Sequence, residues 1–295
     1  MPEEIRVALI GLDTSHSIEF TRRMQAPDCP EDQKVEGMEA ITCLRFETPF
    51  QDKEGLDKRQ AQLEEWGVKV TEDFDEAIDD CDAIMLEIND PAYHLEYFKK
   101  VADLKRPIFL DKPLADTIEN GREICRITRE KGLRVFSSSS LRYIPNLDEA
   151  DKEVPEPMYA AMYGPVGVAP AGSSIVWYGV HAFEMLERVM GIGAKSVFAR
   201  KDESGVVCVV DYPEARRGIV ELTTGVYSYG GLVRDKKKAF PFVADTKRLY
   251  SRELELVVEF FRGAPPAASM EDALEIMAML DAAEKSAQTG KTIKL

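Results

Sequence analysis

Apolar runs alternate with amphipathic stretches through the first 136 residues of the chain. Short uninterrupted apolar runs are typical of strands buried on both faces, whereas apolar residues at spacings of three and four are typical of helices packed on a sheet. The pattern predicts strands at 5–10, 40–46, 68–70, 83–88, 107–110 and 133–136, and helices at 15–24, 57–67, 73–78, 93–104 and 118–131. These elements indicate a doubly wound parallel sheet of the Rossmann type.

A different pattern follows the four serines at 137–140. The segment 153–172 is rich in proline and glycine and predicts a long loop, after which we expect one helix at 174–190. Runs that alternate between apolar and polar residues predict an antiparallel meander at 195–201, 205–212, 216–225 and 226–233. Two last helices are expected at 249–261 and 270–288.

The change of pattern near residue 140 indicates two domains. We expect a Rossmann-type α/β domain over residues 1–140 and an α+β domain with an open, mainly antiparallel sheet over 141–295. Ligands of doubly wound sheets bind at the carboxyl ends of the strands, so the cleft between the domains is the expected site.

Charge and composition narrow the range of partners. The chain has 38 lysine and arginine residues against 53 aspartate and glutamate residues, and its net charge of −15 disfavours nucleic acid and anionic membranes. No apolar run approaches the roughly 18 residues that cross a bilayer, and the acidic start of the chain is unlike a secretion signal, so we expect a cytoplasmic protein. Five scattered cysteines and three histidines predict reduced thiols and no metal site.

The stretch VALIGLDTSH ends the first strand where a dinucleotide-binding turn has three glycines, and here those places hold Gly11, Asp13 and His16. Gly11 keeps the bend. A carboxylate at Asp13 would repel a diphosphate about 5 Å away by roughly 3 kcal/mol at an effective dielectric near 20. Alternatively, Asp13, Thr14 or Ser15 caps the following helix. The hydroxyls of Thr14 and Ser15 and the helix N-terminus still favour an anion, and His16 adds a charge if it is protonated.

Two further segments carry candidate chemistry. In FLDKPLADT a buried strand ends at Asp111, and Lys112 follows at the edge of the sheet where ligands bind. A lysine there can polarise an oxygen or exchange a proton, although a turn without function is the simpler interpretation. In the predicted helix of the second domain, Trp177, His181 and Glu184 lie on one side, so His181 and Glu184 can share a partner. Core packing is the simpler interpretation of a lone histidine.

Glu47 follows the second predicted strand, where dinucleotide-binding domains carry an acid that accepts both ribose hydroxyls and favours NAD. Arg45 lies two residues earlier and would attract the 2′-phosphate of NADP. A surface charge pair is the ordinary alternative, so the sequence leaves both cofactors open.

In this order the motifs resemble the glucose-fructose oxidoreductase and inositol dehydrogenase family (Gfo/Idh/MocA), and the resemblance covers nearly the whole chain. It implies that Asp111 and Lys112, with the next proline, replace the family's Glu-Lys-Pro, and that Lys112 lies beside nicotinamide and substrate. The loop from Asn89 to His94 occupies the place of the family's Thr-Pro-x-x-x-His. The implied residues for NAD or NADP are Gly11, Asp13, Thr14, Ser15, His16, Glu47, Asn89, His94, Asp111 and Lys112.

In the second domain the resemblance implies a substrate side. Arg142 and Tyr143 match the pair that opens this domain in the family, and His181 matches the histidine of its Asp-x-x-x-His helix. Trp177 stands where the family has the aspartate, and its ring can stack on a sugar. The resemblance thus implies Lys112 and His181 as the catalytic pair. The implied substrate-binding residues are Arg142, Tyr143, Trp177 and Glu184.

Two functions follow. The first is an NAD(P)-dependent oxidoreductase of a sugar, polyol or related hydroxy compound, in which Lys112 or His181 accepts the hydroxyl proton. The second is a non-redox ligand-binding member of the same fold, because Asp13 and Trp177 depart from the family pattern, and cofactor binding would then be weak or absent. The resemblance also implies a homodimer or higher homo-oligomer through the second sheet.

Overall fold

The computed structural model describes residues 4–295. Contacts between residues divide the chain into two compact units. The first unit comprises the residues up to Ala115 together with Glu119–Ser137 and Tyr250–Met270. The second comprises Asp116–Ile118, Ser138–Leu249 and Glu271–Leu295, so the chain passes between the units several times.

A six-stranded parallel sheet forms the centre of the first unit. Its strands are β1 (Ile5–Ile10), β2 (Met38–Leu44), β3 (Lys69–Thr71), β4 (Ala83–Leu86), β5 (Ile108–Leu110) and β6 (Val135–Phe136). They lie in the order β3-β2-β1-β4-β5-β6, and every neighbouring pair is parallel. This is the Rossmann order, in which the direction of winding reverses between β1 and β4. The predicted Rossmann-type sheet is confirmed.

Helices follow the strands of this sheet as the pattern predicts. They are α1 (His16–Gln25), α2 (Lys53–Glu65), α3 (Phe74–Ile78), α4 (His94–Ala102) and α5 (Ile118–Lys131). Helix α2 begins earlier than the predicted residue 57, because Asp52 accepts a hydrogen bond from the backbone amide of Gly55 at 2.8 Å and caps the helix. Asp73 caps α3 in the same way through the amide of Glu76.

A row of phenylalanine rings fills the core of the first unit. Phe20, Phe109, Phe136 and Phe260 are buried, and successive ring centroids lie 6.3, 5.4 and 5.6 Å apart in edge-on contacts. Phe260 belongs to α9 (Leu249–Phe261), a helix far along the chain. Helix α9 therefore completes the hydrophobic core around the parallel sheet.

A seven-stranded mixed sheet lies in the second unit. Its strands are β7 (Tyr159–Pro165), β8 (Ser196–Asp202), β9 (Gly205–Asp211), β10 (Arg217–Thr223), β11 (Gly230–Arg234), β12 (Ala239–Val243) and β13 (Ile293–Lys294). Their order is β12-β11-β7-β10-β9-β8-β13. Only β7 and β10 run parallel among these neighbours. The expected open, mainly antiparallel sheet is confirmed.

The segment 153–172 is not one long loop, which corrects the prediction. It contains β7, which pairs with β10 on one side and β11 on the other. Four positions of β7 are buried, Ala160, Met162, Gly164 and Pro165, and glycine and proline are depleted in strands, so the strand signal is weak in the sequence. Helix α6 (Pro145–Glu153), which was also missed, begins at a proline, a residue suited to the first helical turn.

The helix predicted at 174–190 is two helices, α7 (Ser174–Trp177) and α8 (Val180–Met190). Ser173 caps α7 by accepting a hydrogen bond from the amide of Val176 at 3.2 Å. Tyr178 and Gly179 lie between the two helices, and a Cβ at Gly179 would lie 2.5 Å from the carbonyl oxygen of Ile175. Helix α10 (Met270–Thr289) is the last helix, as predicted.

The five cysteines are buried, and none of them forms a disulfide within residues 4–295. Within residues 4–295, every helix is too short or too polar to span a lipid bilayer.

Candidate functional site

The turn after β1 keeps the bend of a dinucleotide-binding turn. Gly11 has φ +112°, and a Cβ there would overlap the carbonyl oxygen of Glu87 after β4. The Ser17 hydroxyl donates to the Gly11 carbonyl at 2.9 Å and holds the turn against α1. Only glycine fits this position, because both the backbone angle and the close approach exclude a side chain.

Asp13 joins three loops at the carboxyl edge of the sheet. Its buried carboxylate accepts hydrogen bonds from the amide of Asn89 at 2.8 Å, the amide of Asp90 at 3.3 Å and the hydroxyl of Thr48 at 2.7 Å. The Asn89 side chain also donates to the Asp13 carbonyl at 3.3 Å. These contacts link the loop after β1 to the loops after β2 and β4. The bridge therefore crosses the point where the strand order reverses.

The suggestion that Asp13 caps α1 is wrong, because its carboxylate is bound to these loops. Ser15 occupies the N-cap position but makes no capping hydrogen bond, and its side chain is exposed. The Thr14 hydroxyl accepts from the amide of His16 at 3.1 Å. The first turn of α1 is thus stabilised by Thr14.

Four charged or titratable groups meet after β1, β4 and β5. His16 Nδ1 lies 2.8 Å from Asp111 Oδ2, and Lys112 Nζ lies 4.0 Å from the same oxygen. Glu87 is fully buried, and burial together with Asp111 raises its pKa well above its ordinary range. Burial acts to raise the pKa of Asp111 as well, but His16 and Lys112 lower it to about 2. Tyr250 of α9 packs edge-on against the His16 ring, with centroids 5.2 Å apart.

His94 takes part in the fold of its loop. It is fully buried, and its Nε2 donates to the carbonyl oxygen of Ile88 at 2.7 Å. This contact holds the start of α4 against the segment that follows β4. Its contact with a cofactor stays a prediction.

The residues after β2 carry the features that bear on cofactor choice. Glu47 is exposed. The Arg45 guanidinium is bound by Asp57 at 2.5 Å and Gln60 at 2.5 Å, both on α2. Asp57 also accepts from Lys53, and these two cations lower the pKa of Asp57. Arg45 is therefore engaged within its own unit.

In the second unit, His181 and Glu184 share Ser139, which confirms that the two side chains have a common partner. The Ser139 hydroxyl lies 2.7 Å from His181 Nδ1, and the Ser139 amide donates to Glu184 at 3.0 Å. Edge-on contacts with Tyr178 and Tyr229 enclose the imidazole, at centroid distances of 5.5 and 5.8 Å. Ser139 thus fixes both the ring and the carboxylate.

Arg142 is buried among carboxylates. Its guanidinium pairs with Glu184 at 3.2 Å and with Glu187 at closer range. Burial raises the pKa of Glu184 to about 7, although Arg142 acts to lower it. The neighbouring Tyr143 donates its hydroxyl to Ser138 at 3.1 Å. The structure therefore brings Arg142, Glu184 and His181 together in one polar network.

Trp177 lies at the end of α7, directly before the helix break. Its ring is half-buried and packs against Tyr178, with centroids 5.1 Å apart. The break at Gly179 separates Trp177 from His181, so the two are not on one continuous helix as predicted.

Some residues of these networks were missed in the sequence. Glu87 is the one acid in the apolar run AIMLEI, which was a signal that could have identified it. Ser139 lies in a run of four serines, and the sequence does not indicate which of them contacts His181 and Glu184. Arg59, which lies on α2, donates a hydrogen bond to the Leu12 carbonyl oxygen at 3.0 Å. No sequence pattern in α2 predicts this contact.

Comparison with known proteins shows which family part of the chain resembles. Residues 53–139 match the GFO_IDH_MocA family model, described as an oxidoreductase family with an NAD-binding Rossmann fold. No curated protein matches the sequence. The match, together with the fold of the whole chain, confirms the resemblance to the Gfo/Idh/MocA family.

Individual solved structures share that fold over nearly their full length. The myo-inositol dehydrogenase from Lactobacillus casei, in complex with NAD(H) and myo-inositol, has a TM-score of 0.80 at 15% identity, with 99% of this chain and 97% of that chain covered. The WlbA dehydrogenase from Bordetella pertussis, in complex with NADH and UDP-GlcNAcA, has a TM-score of 0.79 at 16% identity, with 99% of each chain covered. The myo-inositol 2-dehydrogenase from Lactobacillus plantarum has a TM-score of 0.79 at 14% identity, with 99% of this chain and 100% of that chain covered. At these identities the likeness establishes the fold.

Proposed function

We propose that the protein is an NAD(P)-dependent oxidoreductase acting on a hydroxyl group of a sugar, polyol or related small hydroxy compound. The observation that carries the proposal is Lys112, which follows β5 at the carboxyl edge of a sheet with Rossmann strand order. Lys112 is only 7% exposed and lies beside Asp111. A buried lysine at the ligand-binding edge is suited to act on a bound substrate. The match to an NAD-binding oxidoreductase family supports the same class.

The turn at Gly11 fits a dinucleotide in its backbone, since the bend is kept and the Asp13 carboxylate is bound by neighbouring loops. Gly11, Thr14, Ser15 and Asn89 would hold the cofactor, whose nicotinamide supplies the hydride acceptor. Glu47 is exposed after β2 and would accept the ribose hydroxyls.

We propose NAD as the preferred cofactor. The Arg45 guanidinium, which would otherwise attract a 2′-phosphate, is bound by Asp57 and Gln60. Because Arg45 attracts a 2′-phosphate less strongly when it is paired, Glu47 determines the cofactor preference. Its carboxylate favours NAD, which has a free 2′-hydroxyl.

The side chains would divide the acid-base work. The Lys112 ammonium polarises the substrate oxygen, and His181 accepts the hydroxyl proton at Nε2, because Ser139 engages Nδ1. Arg142 and Glu184 act as positioning residues through their network with Ser139. Tyr143 and Trp177 would line the substrate side, with the Trp177 ring stacking on a sugar face.

A non-redox ligand-binding protein is the second candidate, and the Asp13 bridge favours it. This bridge ties the loops after β1 and β4 across the reversal of strand order, where a dinucleotide would pass. A cofactor would have to displace it or bind beside it, so this candidate predicts no saturable binding of either nucleotide.

Fluorescence titration of the purified protein with NADH and NADPH tests the proposal. We expect saturable binding with preference for NADH. Lys112→Ala should then lower kcat by about 10²–10⁴-fold with a substrate found by screening polyols and sugar acids, whereas Lys100→Ala on α4 should not. Absence of saturable binding to both nucleotides would replace the oxidoreductase with the ligand-binding protein.

A cytoplasmic location and assembly as a homo-oligomer are also proposed. Buried cysteines without disulfides in residues 4–295 support a reducing compartment. Phe198 of β8 and Ile219 of β10 support assembly through the second sheet, as they are 40% and 38% exposed.

A further inference from the structure

Three side chains with metal-binding groups converge in the first unit. His16 begins α1, Glu87 follows β4 and Asp111 follows β5, and they are 6%, 0% and 1% exposed. One nitrogen or oxygen from each lies within 4.8 Å of the others. Because the three residues come from neighbouring elements of the parallel sheet, the fold itself brings them together.

Four buried polar atoms of this cluster lack hydrogen bonds within residues 4–295, whereas Asp111 Oδ1 accepts one from the Lys112 amide at 2.8 Å. Among residues 4–295, no group donates to Oε1 or Oε2 of Glu87, and neither His16 Nδ1 nor Asp111 Oδ2 makes a hydrogen bond of good geometry despite their separation of 2.8 Å. A buried carboxylate without donors is costly, since the energy of its lost hydration is not recovered. The arrangement therefore calls for a further positive group at its centre.

Nearby charges do not supply that group. Lys112 Nζ lies 4.0 Å from Asp111 Oδ2, which is beyond a hydrogen bond, and none of residues 4–295 donates to the Glu87 oxygens. Glu253 of α9 is also buried and adds negative charge that acts on Glu87. The local charge is thus dominated by the carboxylates of Glu87 and Asp111, with that of Glu253 nearby.

We propose that His16, Glu87 and Asp111 bind a divalent first-row transition metal ion, for which Zn²⁺ is the reference probe. One imidazole nitrogen and two carboxylates suit Zn²⁺, Mn²⁺ or Fe²⁺, whereas Mg²⁺ prefers oxygen ligands alone. Ligands about 2.0–2.2 Å from one ion lie roughly 3–4 Å from each other, and the separations here bracket that range. This site departs from the expectation of no metal, which rested on counts of cysteine and histidine.

The ion would join the start of α1 to the ends of two central strands. His16 stands at the third glycine position of the dinucleotide-binding turn. A metal centre would explain why the chain has a histidine there. The proposal goes beyond the proposed oxidoreductase, since a non-redox protein of the same fold would bind the ion equally.

Metal content and metal titration of the full chain test this proposal. Protein stripped with chelator and dialysed should bind one Zn²⁺ per chain, and at 100 times Kd the ion should stabilise the fold by about 2.7 kcal/mol. Co²⁺ loading should give an absorption spectrum of a nitrogen- and oxygen-ligated ion. Absence of saturable Zn²⁺ and Co²⁺ binding in the wild-type protein would overturn the proposal and leave a protonated Glu87 as the explanation.

Variants locate the ion. Glu87→Gln should weaken Zn²⁺ binding at least 100-fold, while Glu19→Gln, a substitution on α1 outside the cluster, should leave it unchanged. Equal affinity in Glu87→Gln and wild type would place the ion elsewhere and overturn the site. If Glu87→Gln fails to fold, His16→Asn replaces it under the same criterion, and the Co²⁺ spectrum of the wild type tests imidazole ligation without any variant.

Discussion

Asp13 holds three loops together at a position where a dinucleotide turn has glycine. Asp13→Gly removes the acceptor of two amides and one hydroxyl, so the free energy of unfolding should fall by about 2–4 kcal/mol. Loss of the charge and of the bridge should tighten NADH binding by about tenfold to a hundredfold. Urea denaturation and fluorescence titration measure the two effects.

Asp13→Asn serves as the control, because its amide oxygen keeps one acceptor. We expect an intermediate loss of stability in this variant. A stable Asp13→Gly protein would show that the loops hold their positions without the carboxylate.

Glu184 gives stability a dependence on pH. Its pKa in the folded protein is about 7, against an ordinary 4.5, so the folded state keeps a proton that the unfolded chain releases between these values. The stabilisation is complete below pH 4.5 and is lost as pH rises through 7, by at most about 3 kcal/mol. Ser139, Arg142 and Glu187 are the groups that face it.

Glu184→Gln removes this titration. We expect its free energy of unfolding to change less between pH 5 and pH 8 than that of the wild type, as measured by urea denaturation. Glu221→Gln, an exposed substitution on β10, is the control. Parallel pH profiles for wild type and Glu184→Gln would contradict the assignment.

At the scale of elements, the break between α7 and α8 predicts the effect of a substitution at Gly179 on stability. Gly179 has helical angles, φ −64° and ψ −21°, where alanine would ordinarily stabilise by about 1 kcal/mol. A Cβ at Gly179 would lie 2.5 Å from the Ile175 carbonyl oxygen and 2.7 Å from Leu222. Gly179→Ala should therefore destabilise by about 1–3 kcal/mol.

Gly55→Ala is the matched control for this substitution. Gly55 lies in α2, and the nearest obstacle to its Cβ is the side chain of Gln51, which can move away. We expect Gly55→Ala to stabilise the protein in chemical denaturation. Equal effects of the two alanines would mean that the break depends on something other than space.

Elements differ in how far the sequence predicts them. The parallel strands were predictable, since buried strands such as β4 and β5 are continuous apolar runs. Strand β7 was not, because its place between β10 and β11 is set by pairing across the sheet rather than by its own side chains. The site shows the same limit: spacing predicted the pairing of His181 with Glu184, but not the serine that joins them.

At the scale of the molecule, the second sheet presents an apolar row. Phe198, Val209 and Ile219 are in register across β8, β9 and β10, and Phe198 and Ile219 are 40% and 38% exposed. The row continues through Ala161 and Leu232 on β7 and β11. Such a continuous apolar surface is typical of an interface.

We expect the protein to sediment as a homodimer or higher oligomer, and Ile219→Lys to shift it toward monomer at micromolar concentration. Val168→Lys introduces the same charge at a residue that is 82% exposed outside the sheet, and should leave the assembly unchanged. A wild-type monomer in analytical ultracentrifugation would refute this role of the sheet.

The return of α9 to the first unit bears on how the chain is made. Phe260 completes the ring stack around the parallel sheet, Tyr250 covers His16, and the Ser251 hydroxyl donates to the Gln33 carbonyl at 2.8 Å. On the ribosome, all six strands of that sheet emerge long before these three residues. The nascent N-terminal part must therefore wait, with one side of its core uncovered, until nearly the whole chain has been translated. The first unit, whose synthesis begins first, can therefore complete its core only after α9 has been translated.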